Sequence, residues 1–249
     1  SVVGIAGPGD ALANWEKTRR TIALIKQSDP DVLFCLSTNG LMLPDYAREI
    51  VRLGVRHVTV TVNCLLPETG ERIYRFVNYK GKKYKGTHGA GILIENQLSG
   101  IKLLAVQGVS VKVNIVMIKG INDSHIPEIV KKVKDLGAFI TNIMPLIPAQ
   151  GSPFAYLPRI CMKEINKMRN ICKADLQQMY HCKQCRADAI GLLGNDRSLE
   201  LRSIALKEEA NVIDKPVENG LKYAAEKLNQ NGLGKGTHLL AHTKLFLVK

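Results

Sequence analysis

The sequence lacks any apolar run that approaches the roughly 20 consecutive apolar residues that a membrane-spanning helix needs. Its first residues contain no basic cluster and no long apolar segment, so they do not resemble a secretory signal. Internal repeats and low-complexity tracts are absent as well. We therefore expect a cytoplasmic protein that makes no contact with a membrane.

Cysteine is scarce and widely spaced, with one exception. The chain has six cysteines: Cys35, Cys64, Cys161, Cys172, Cys182 and Cys185. Because no secretory signal is evident, the closely spaced last pair favours metal or cluster ligation over a disulfide. A second Cys-x2-Cys does not occur within the chain, which weakens the alternative of a zinc site. Half a zinc site or a redox pair remains the competing interpretation.

Acidic residues are outnumbered, since 22 of them face 35 basic ones and the net charge is +13. Residues 72–85 contain no acidic residue, and their basic members are Arg72, Arg75, Lys80, Lys82, Lys83 and Lys85. This run is compatible with a solvated loop, with guidance of anionic ligands, or with a surface for a partner protein. A basic balance alone is weak evidence for nucleic acid, and we expect none to bind.

Short β-branched runs alternate regularly with amphipathic segments of helix length. The predicted strands are residues 1–6, 31–37, 57–62, 109–118 and 138–144, and the predicted helices are residues 14–27, 44–53, 90–106, 126–136 and 163–172. Residues 72–85 are predicted to lie in a long connection, and residues 146–158 in a proline-rich loop. Such alternation predicts parallel βαβ units, in which ligands gather where the strands end.

Several segments that follow predicted strands resemble those of radical S-adenosylmethionine enzymes. Ala6-Gly7-Pro8-Gly9-Asp10 is similar to the superfamily's Gly-Gly-Glu segment, which holds the amino group of the cofactor. Ser37-Thr38-Asn39-Gly40, Val113-Asn114-Ile115-Val116 and Gly120-Ile121-Asn122-Asp123 follow in the order typical of these enzymes. Cys182-Lys183-Gln184-Cys185 and the residues after it resemble the members that build the nitrogenase cofactor.

The resemblance implies an α/β fold, a partial parallel (β/α)6 barrel. Residues 1–158 would form strands 2 to 6 of the barrel, residues 159–200 a C-terminal cluster-binding extension that carries the Cys-x2-Cys site, and residues 201–249 a basic tail without an assigned role. We expect the first strand, with the Cys-x3-Cys-x2-Cys motif that binds the cofactor-cleaving 4Fe–4S cluster, to precede Ser1. The chain by itself is therefore not expected to cleave S-adenosylmethionine.

The resemblance also implies a set of site residues. The cofactor-binding residues would be Gly7, Gly9, Asp10, Thr61, Asn114 and Ile115, with Asp10 facing the ammonium group and Ile115 packing on adenine. The metal ligands would be Cys35, for a substrate cluster, and Cys182 and Cys185, for an additional 4Fe–4S cluster.

Without the family, simpler interpretations stand beside these roles. Thr61 and Ile115 would be ordinary strand residues, Asp10 a helix cap, and Cys35 an inert thiol. Cys64 fits packing in the core or at the rim as well as ligation. Cys161 and Cys172 are predicted to be structural.

The function that the resemblance implies is the fusion of two 4Fe–4S clusters. A carbide derived from S-adenosylmethionine and an extra sulfide would complete the 8Fe–9S–C precursor of the nitrogenase cofactor. The partners would be an iron–sulfur cluster donor, cofactor carrier or scaffold proteins, and an electron donor such as a ferredoxin. The alternatives are another radical enzyme with an auxiliary cluster, such as a peptide maturase, or a non-enzymatic cluster carrier or nucleic-acid-binding module.

Overall fold

The computed structural model describes residues 2–6, 9–148 and 151–180, and residues 191–192 and 195–196. Five strands and four helices alternate along the chain as predicted: β1 (Val2–Ile5), α1 (Trp15–Ser28), β2 (Leu33–Thr38), α2 (Leu43–Arg52), β3 (His57–Thr61), α4 (Gly86–Ala105), β6 (Ser110–Met117), α5 (Ile126–Asp135) and β7 (Ile140–Pro145). The connection between β3 and α4 contains α3 (Pro67–Ile73), β4 (Val77–Tyr79) and β5 (Lys82–Tyr84). All neighbours in the main sheet, whose order is β1-β2-β3-β6-β7, are parallel. The prediction of a parallel α/β fold is confirmed, whereas closure into a barrel stays a prediction.

The strand order places the helices on one face of the sheet, because right-handed crossovers that step in one direction all pass over the same side. Most strand residues on that face are apolar, and central ones such as Leu36, Val60 and Val113 are fully buried. They pack in one cluster with helix residues such as Ile50 and Ile101. Burial of each such side chain is worth about 1.5–3 kcal/mol, so this layer stabilises the fold.

The segment predicted as a long connection is more ordered than its composition indicates. In addition to α3, it forms an antiparallel hairpin of β4 and β5. Lys80 and Gly81 at its tip both have positive φ, 49° and 76°, which fits the tight turn of a two-residue hairpin loop. Strands of three residues are too short to produce a recognisable alternation, so the sequence pattern did not reveal them.

Close packing against the hairpin also explains where α4 begins. The helix starts at Gly86, four residues before its predicted start. A Cβ atom at Gly89 would lie 2.9 Å from the carbonyl oxygen of Tyr84, so only glycine lets the helix approach the hairpin this closely. None of the helices in the described part of the chain, α4 included, combines the length and the apolar character needed to cross a bilayer.

The outer edge of β7 is covered by the segment that follows α6 (Met162–Cys172). Thr141 donates its N–H to the carbonyl of Gln177 and accepts a bond from the N–H of Met179, so this segment runs parallel to β7. Further along the edge, the buried guanidinium of Arg169 donates to the carbonyl of Ile143 through Nε at 3.1 Å and Nη2 at 2.7 Å. The edge strand is thus capped by a side chain where backbone pairing ends.

A second compact unit is represented among the described residues by one small antiparallel hairpin, β8 (Gly191–Leu192) with β9 (Asn195–Asp196). The predicted ligands Cys182 and Cys185 lie outside the described residues, as does Gly7. The division of the chain at residues 158 and 200 stays a prediction.

Burial separates the cysteines by reactivity. Cys64 and Cys172 are 2% and 0% exposed, and burial raises the pKa of their thiols to about 12 and about 11. Cys161 is exposed at the start of α6.

Because the thiolate is the nucleophile, iodoacetamide at about pH 8 should alkylate Cys161 and spare the two buried thiols. Peptide mass spectrometry measures the result, and the same reaction in concentrated urea is the control. Labelling of native Cys64 as fast as Cys161 would contradict the described core.

Candidate functional site

Three polar residues form a row across the sheet near its carboxyl edge. Thr61 pairs in register with Asn114, which pairs in turn with Asn142. Register neighbours point to the same side, so all three lie on the face opposite the helices. The side-chain nitrogen of Asn142 lies 3.2 Å from Oδ1 of Asn114. This polar row offers a hydroxyl and the half-buried amide of Asn114, and hence both donors and acceptors, to a ligand, while Asn142, which is 1% exposed, donates to Asn114.

Cys35 lies on the same face but not beside the polar row. Its register neighbour on β3 is His57, which precedes Thr61 by four residues. At about 3.3 Å per residue, Cys35 is therefore roughly 13 Å nearer the amino edge of the sheet. Its side chain is half-buried. The structure brings Thr61 and Asn114 together and sets Cys35 apart from them, and ligation by Cys35 stays a prediction.

Ile115 points to the other face. Its side chain is 0% exposed and belongs to the apolar cluster under the helices. In this arrangement it packs as an ordinary strand residue, which leaves only its backbone for contact with a cofactor. The reason is the alternation of the strand: a residue next to Asn114 must face the opposite side.

Asp10 clamps two loops at the carboxyl edge. Its Oδ1 accepts the N–H of Leu12 at 2.9 Å, and its Oδ2 accepts the N–H of Asn39. The hydroxyl of Thr38 donates to the same carboxylate at 3.0 Å. Burial raises the pKa of Asp10, and the two N–H groups oppose that rise. The carboxylate thus joins the loop after β1 to the loop after β2.

Neither interpretation of Asp10 from the sequence anticipated this clamp. It does not cap α1, whose N-cap residue is Asn14. Contact with an ammonium group stays a prediction. Gly9 beside it has φ of 91°, a left-handed conformation that favours glycine, and a Cβ there would meet nothing within 4 Å. Open space therefore lies next to the backbone at Gly9.

Gln97 on α4 clamps the next pair of strands. Its side chain is 1% exposed, and its Nε2 donates to the carbonyls of Asn39 and Thr61, each at 2.8 Å. Gly40 lets this amide come close, because a Cβ there would lie 2.8 Å from Cγ of Gln97. Hydrophobic periodicity alone does not distinguish Gln97. The available signal was a polar residue at helical spacing from the buried residues Ile94 and Ile101.

Asn122 clamps β3 to β6. It is 0% exposed, and its Nδ2 donates to the carbonyls of Asn63 and Val116, each at 2.8 Å. Its Oδ1 accepts the N–H of Ile118 at 2.7 Å, and Oδ1 of Asn63 accepts the N–H of Val116. The Gly-Ile-Asn-Asp motif therefore has a structural role here. Asp10, Gln97 and Asn122, which we call the three clamps, fix the loops around the polar row.

The described residues suit an organic polar ligand better than they suit an iron–sulfur cluster. Hydroxyl and amide groups such as those on the polar row can bond to the hydroxyl, carboxylate and amino groups of an organic ligand. In the part of the chain that the structure describes, no three His, Cys, Asp or Glu side chains converge to hold a metal. Cys64 is buried among apolar side chains such as Leu93, which favours core packing over ligation.

Comparison with known proteins gives a family and a group of relatives. Residues 4–133 match the model of the Radical SAM superfamily. The FeMo cofactor biosynthesis protein NifB of Bradyrhizobium diazoefficiens is 48% identical over 204 residues, which are 80% of this chain and 41% of that protein. NifB of Rhodobacter capsulatus is 44% identical over 86% of this chain and 48% of that protein. NifB of Klebsiella pneumoniae is 46% identical over 84% and 45%. The chain thus spans less than half the length of these relatives.

Among solved structures, the radical S-adenosylmethionine methyltransferase TsrM of Kitasatospora setae aligns over 57% of this chain and 25% of its own. The sequence identity is 19% and the TM-score 0.39, a similarity too low to support an argument about function.

Replacement of Gln97 by leucine tests the second clamp. The change leaves two buried carbonyls without a donor, so the free energy of unfolding should fall by at least about 2 kcal/mol. Gln107→Leu is the matched control, because Gln107 is half-buried and donates to one carbonyl, that of Leu103. It should cost less than about 1 kcal/mol. Urea unfolding measures both values, and equal losses would argue against a special role for Gln97.

Proposed function

This chain belongs to the Radical SAM superfamily, and from that premise we propose that it binds S-adenosylmethionine at the polar row and acts as an enzyme of nitrogenase cofactor biosynthesis. The observation that carries the first part is the row itself, whose hydroxyl and amide groups lie near the carboxyl edge between loops held by the three clamps. The second part rests on the relatives, which are named for biosynthesis of the FeMo cofactor.

We assign the chain's own residues to holding the cofactor. Thr61 and Asn114 would bind its hydroxyl and carboxylate groups, because both present polar atoms on the open face. Gly9 would let the ligand approach the backbone, since open space lies beside it. The amino group would lie near Asp10, whose carboxylate is held in place by its bonds to Asn39 and Leu12. The clamps would thus keep the site preorganised before the cofactor arrives.

When bound and reduced, S-adenosylmethionine would supply the 5′-deoxyadenosyl radical, and a further molecule the methyl carbon. The chain's contribution would be positioning and the exclusion of water. We further propose that two 4Fe–4S clusters are the substrates and that the product is the 8Fe–9S–C precursor of the nitrogenase cofactor. Its partners would be a cluster donor, carrier or scaffold proteins, and an electron donor such as a ferredoxin.

Cluster ligation would fall to Cys35, Cys182 and Cys185. The assignment of Cys182 and Cys185 rests on their Cys-x2-Cys spacing and on the resemblance to the relatives. Cys35 is supported by its position on the open face and its half-buried side chain. Thiolates are the ligands that iron–sulfur clusters require.

Binding of S-adenosylmethionine tests the central claim. The full-length protein, reconstituted anaerobically with iron and sulfide, should bind the cofactor and, with dithionite, release 5′-deoxyadenosine. Asn114→Ala should weaken binding about tenfold, the loss expected for one hydrogen bond to a charged or strongly polar group. Asn170→Ala, an exposed position on α6, is the control and should leave binding unchanged. Equilibrium dialysis measures the affinity, and failure of the parent protein to bind the cofactor would refute the proposal.

Iron analysis tests the cysteine pair separately. The double variant Cys182→Ala/Cys185→Ala should lose about four iron atoms per chain, one cluster's content, and still cleave S-adenosylmethionine. Cys161→Ala is the control, since this exposed thiol at the start of α6 is not among the predicted ligands. Iron content and the iron–sulfur absorption band provide the measurement. An iron content equal to that of the control would remove Cys182 and Cys185 from the ligand set.

A further inference from the structure

We propose that the hairpin of β4 and β5 is the docking surface for an acidic protein electron donor. The surface consists of Arg75, Lys82, Lys83 and Lys85, which we call the basic hairpin. This inference rests on the proposed function, because an electron must reach the carboxyl edge only if the cofactor is cleaved there. It goes beyond that function by assigning the donor a place on this chain.

The basic hairpin is a fixed platform rather than a flexible loop. On its inner side Val77 is 1% exposed and packs in the cluster that contains Leu93. At the tip, Tyr79 donates its hydroxyl to Asp45 at 3.2 Å, and Lys80 forms an ion pair with the same carboxylate at 2.8 Å. At its base the ring of Tyr84 stacks on His88 of α4. The hairpin is therefore held on both sides.

Its remaining cations are available to a partner. Arg75, Lys82, Lys83 and Lys85 are exposed, and within the described ranges none of them forms an ion pair with a carboxylate. The ammonium group of Lys83 lies 4.1 Å from the centroid of the Phe76 ring, a cation–π contact that limits its movement. Lys80 is already paired and does not count toward the surface.

The basic hairpin stands at the rim of the polar row. Gln97 of α4 is level with Thr61, to whose carbonyl it donates. The helix begins at Gly86, eleven residues earlier, and at 1.5 Å per residue its start lies about 16 Å beyond that level. The hairpin directly precedes this helix start. Arg72, just before the hairpin, donates to the carbonyl of Gly120 after β6, which places the same region over the carboxyl edge.

The chemistry of the surface fits a small acidic protein. Lys82 and Lys83 lie on β5, and Arg75 and Lys85 flank the hairpin, so the cations form a short patch that suits a short-lived electron-transfer complex with a small interface. Charge complementarity raises the association rate of such complexes more than their affinity. Nucleic acid would instead be expected to need a longer basic stripe that follows several phosphates. The patch stands above the carboxyl edge, about 16 Å beyond the level of Thr61, so a donor bound there would face the same edge of the sheet as the polar row.

The experiment compares two charge reversals of equal size in the full-length, reconstituted protein. Lys82→Glu/Lys83→Glu changes the basic hairpin, and Lys131→Glu/Lys132→Glu changes exposed positions on α5. The donor is a reduced bacterial ferredoxin of strongly negative net charge. The measured quantity is the second-order rate constant, at low salt, with which reduced ferredoxin drives 5′-deoxyadenosine release by the protein. This constant should fall about tenfold for the hairpin variant and less than about twofold for the control.

A second readout separates this inference from the proposed function. With dithionite, a small reductant that needs no docking surface, both variants should match the parent protein. If the parent protein releases no 5′-deoxyadenosine with dithionite, the proposed function fails, and binding of labelled ferredoxin by anisotropy still tests the surface. Equal ferredoxin rates or affinities for the two variants would overturn the docking proposal. A selective loss of binding to labelled single-stranded DNA, with ferredoxin binding unchanged, would overturn it as well.

Discussion

The site depends on buried side-chain hydrogen bonds that join the ends of neighbouring strands. A parallel ladder pairs backbone groups only as far as the strands extend, and the loops beyond need other partners. Here the carboxylate of Asp10 and the amides of Gln97 and Asn122 are these partners, in order along the sheet from β1 to β6. Each amide bonds to two carbonyls at once, so neither loop can shift without leaving a buried acceptor unpaired. The open face of the sheet is therefore bordered by loops of fixed shape.

This arrangement divides the strands into a stabilising face and a functional face. The helix side is mostly apolar and buried, and its apolar residues, Ile115 included, pack against the helices. The other side carries Thr61, Asn114 and Asn142 at the carboxyl edge and Cys35 well below them. A ligand on the polar row and a cluster at Cys35 would thus occupy different levels of the same face. Under the proposed function, the cofactor and the substrate cluster would therefore not compete for the same groups.

The hairpin at the rim of the site is rigid and strongly basic. Asp45 and the aromatic residues Tyr79 and Tyr84 fix a hairpin whose exposed residues are almost all cationic. Charges on a rigid support lose less conformational entropy on binding than those on a flexible loop. Part of the excess of basic residues is therefore concentrated in the hairpin near the site, in addition to any general effect of the net charge on solubility.

The sequence by itself determined the alternation of strands and helices, the parallel sheet and the segments that border the site, because hydrophobic periodicity and glycine-rich turns are local signals. It also carried the resemblance to the Radical SAM superfamily, which the match over residues 4–133 confirms. The hairpin within residues 72–85 was missed because its strands are only three residues long. Only the tertiary structure decided that Asp10 joins two loops and that Gln97 reaches two strand ends. These facts depend on which residues meet across 28 to 58 positions of sequence, and no local pattern records such meetings.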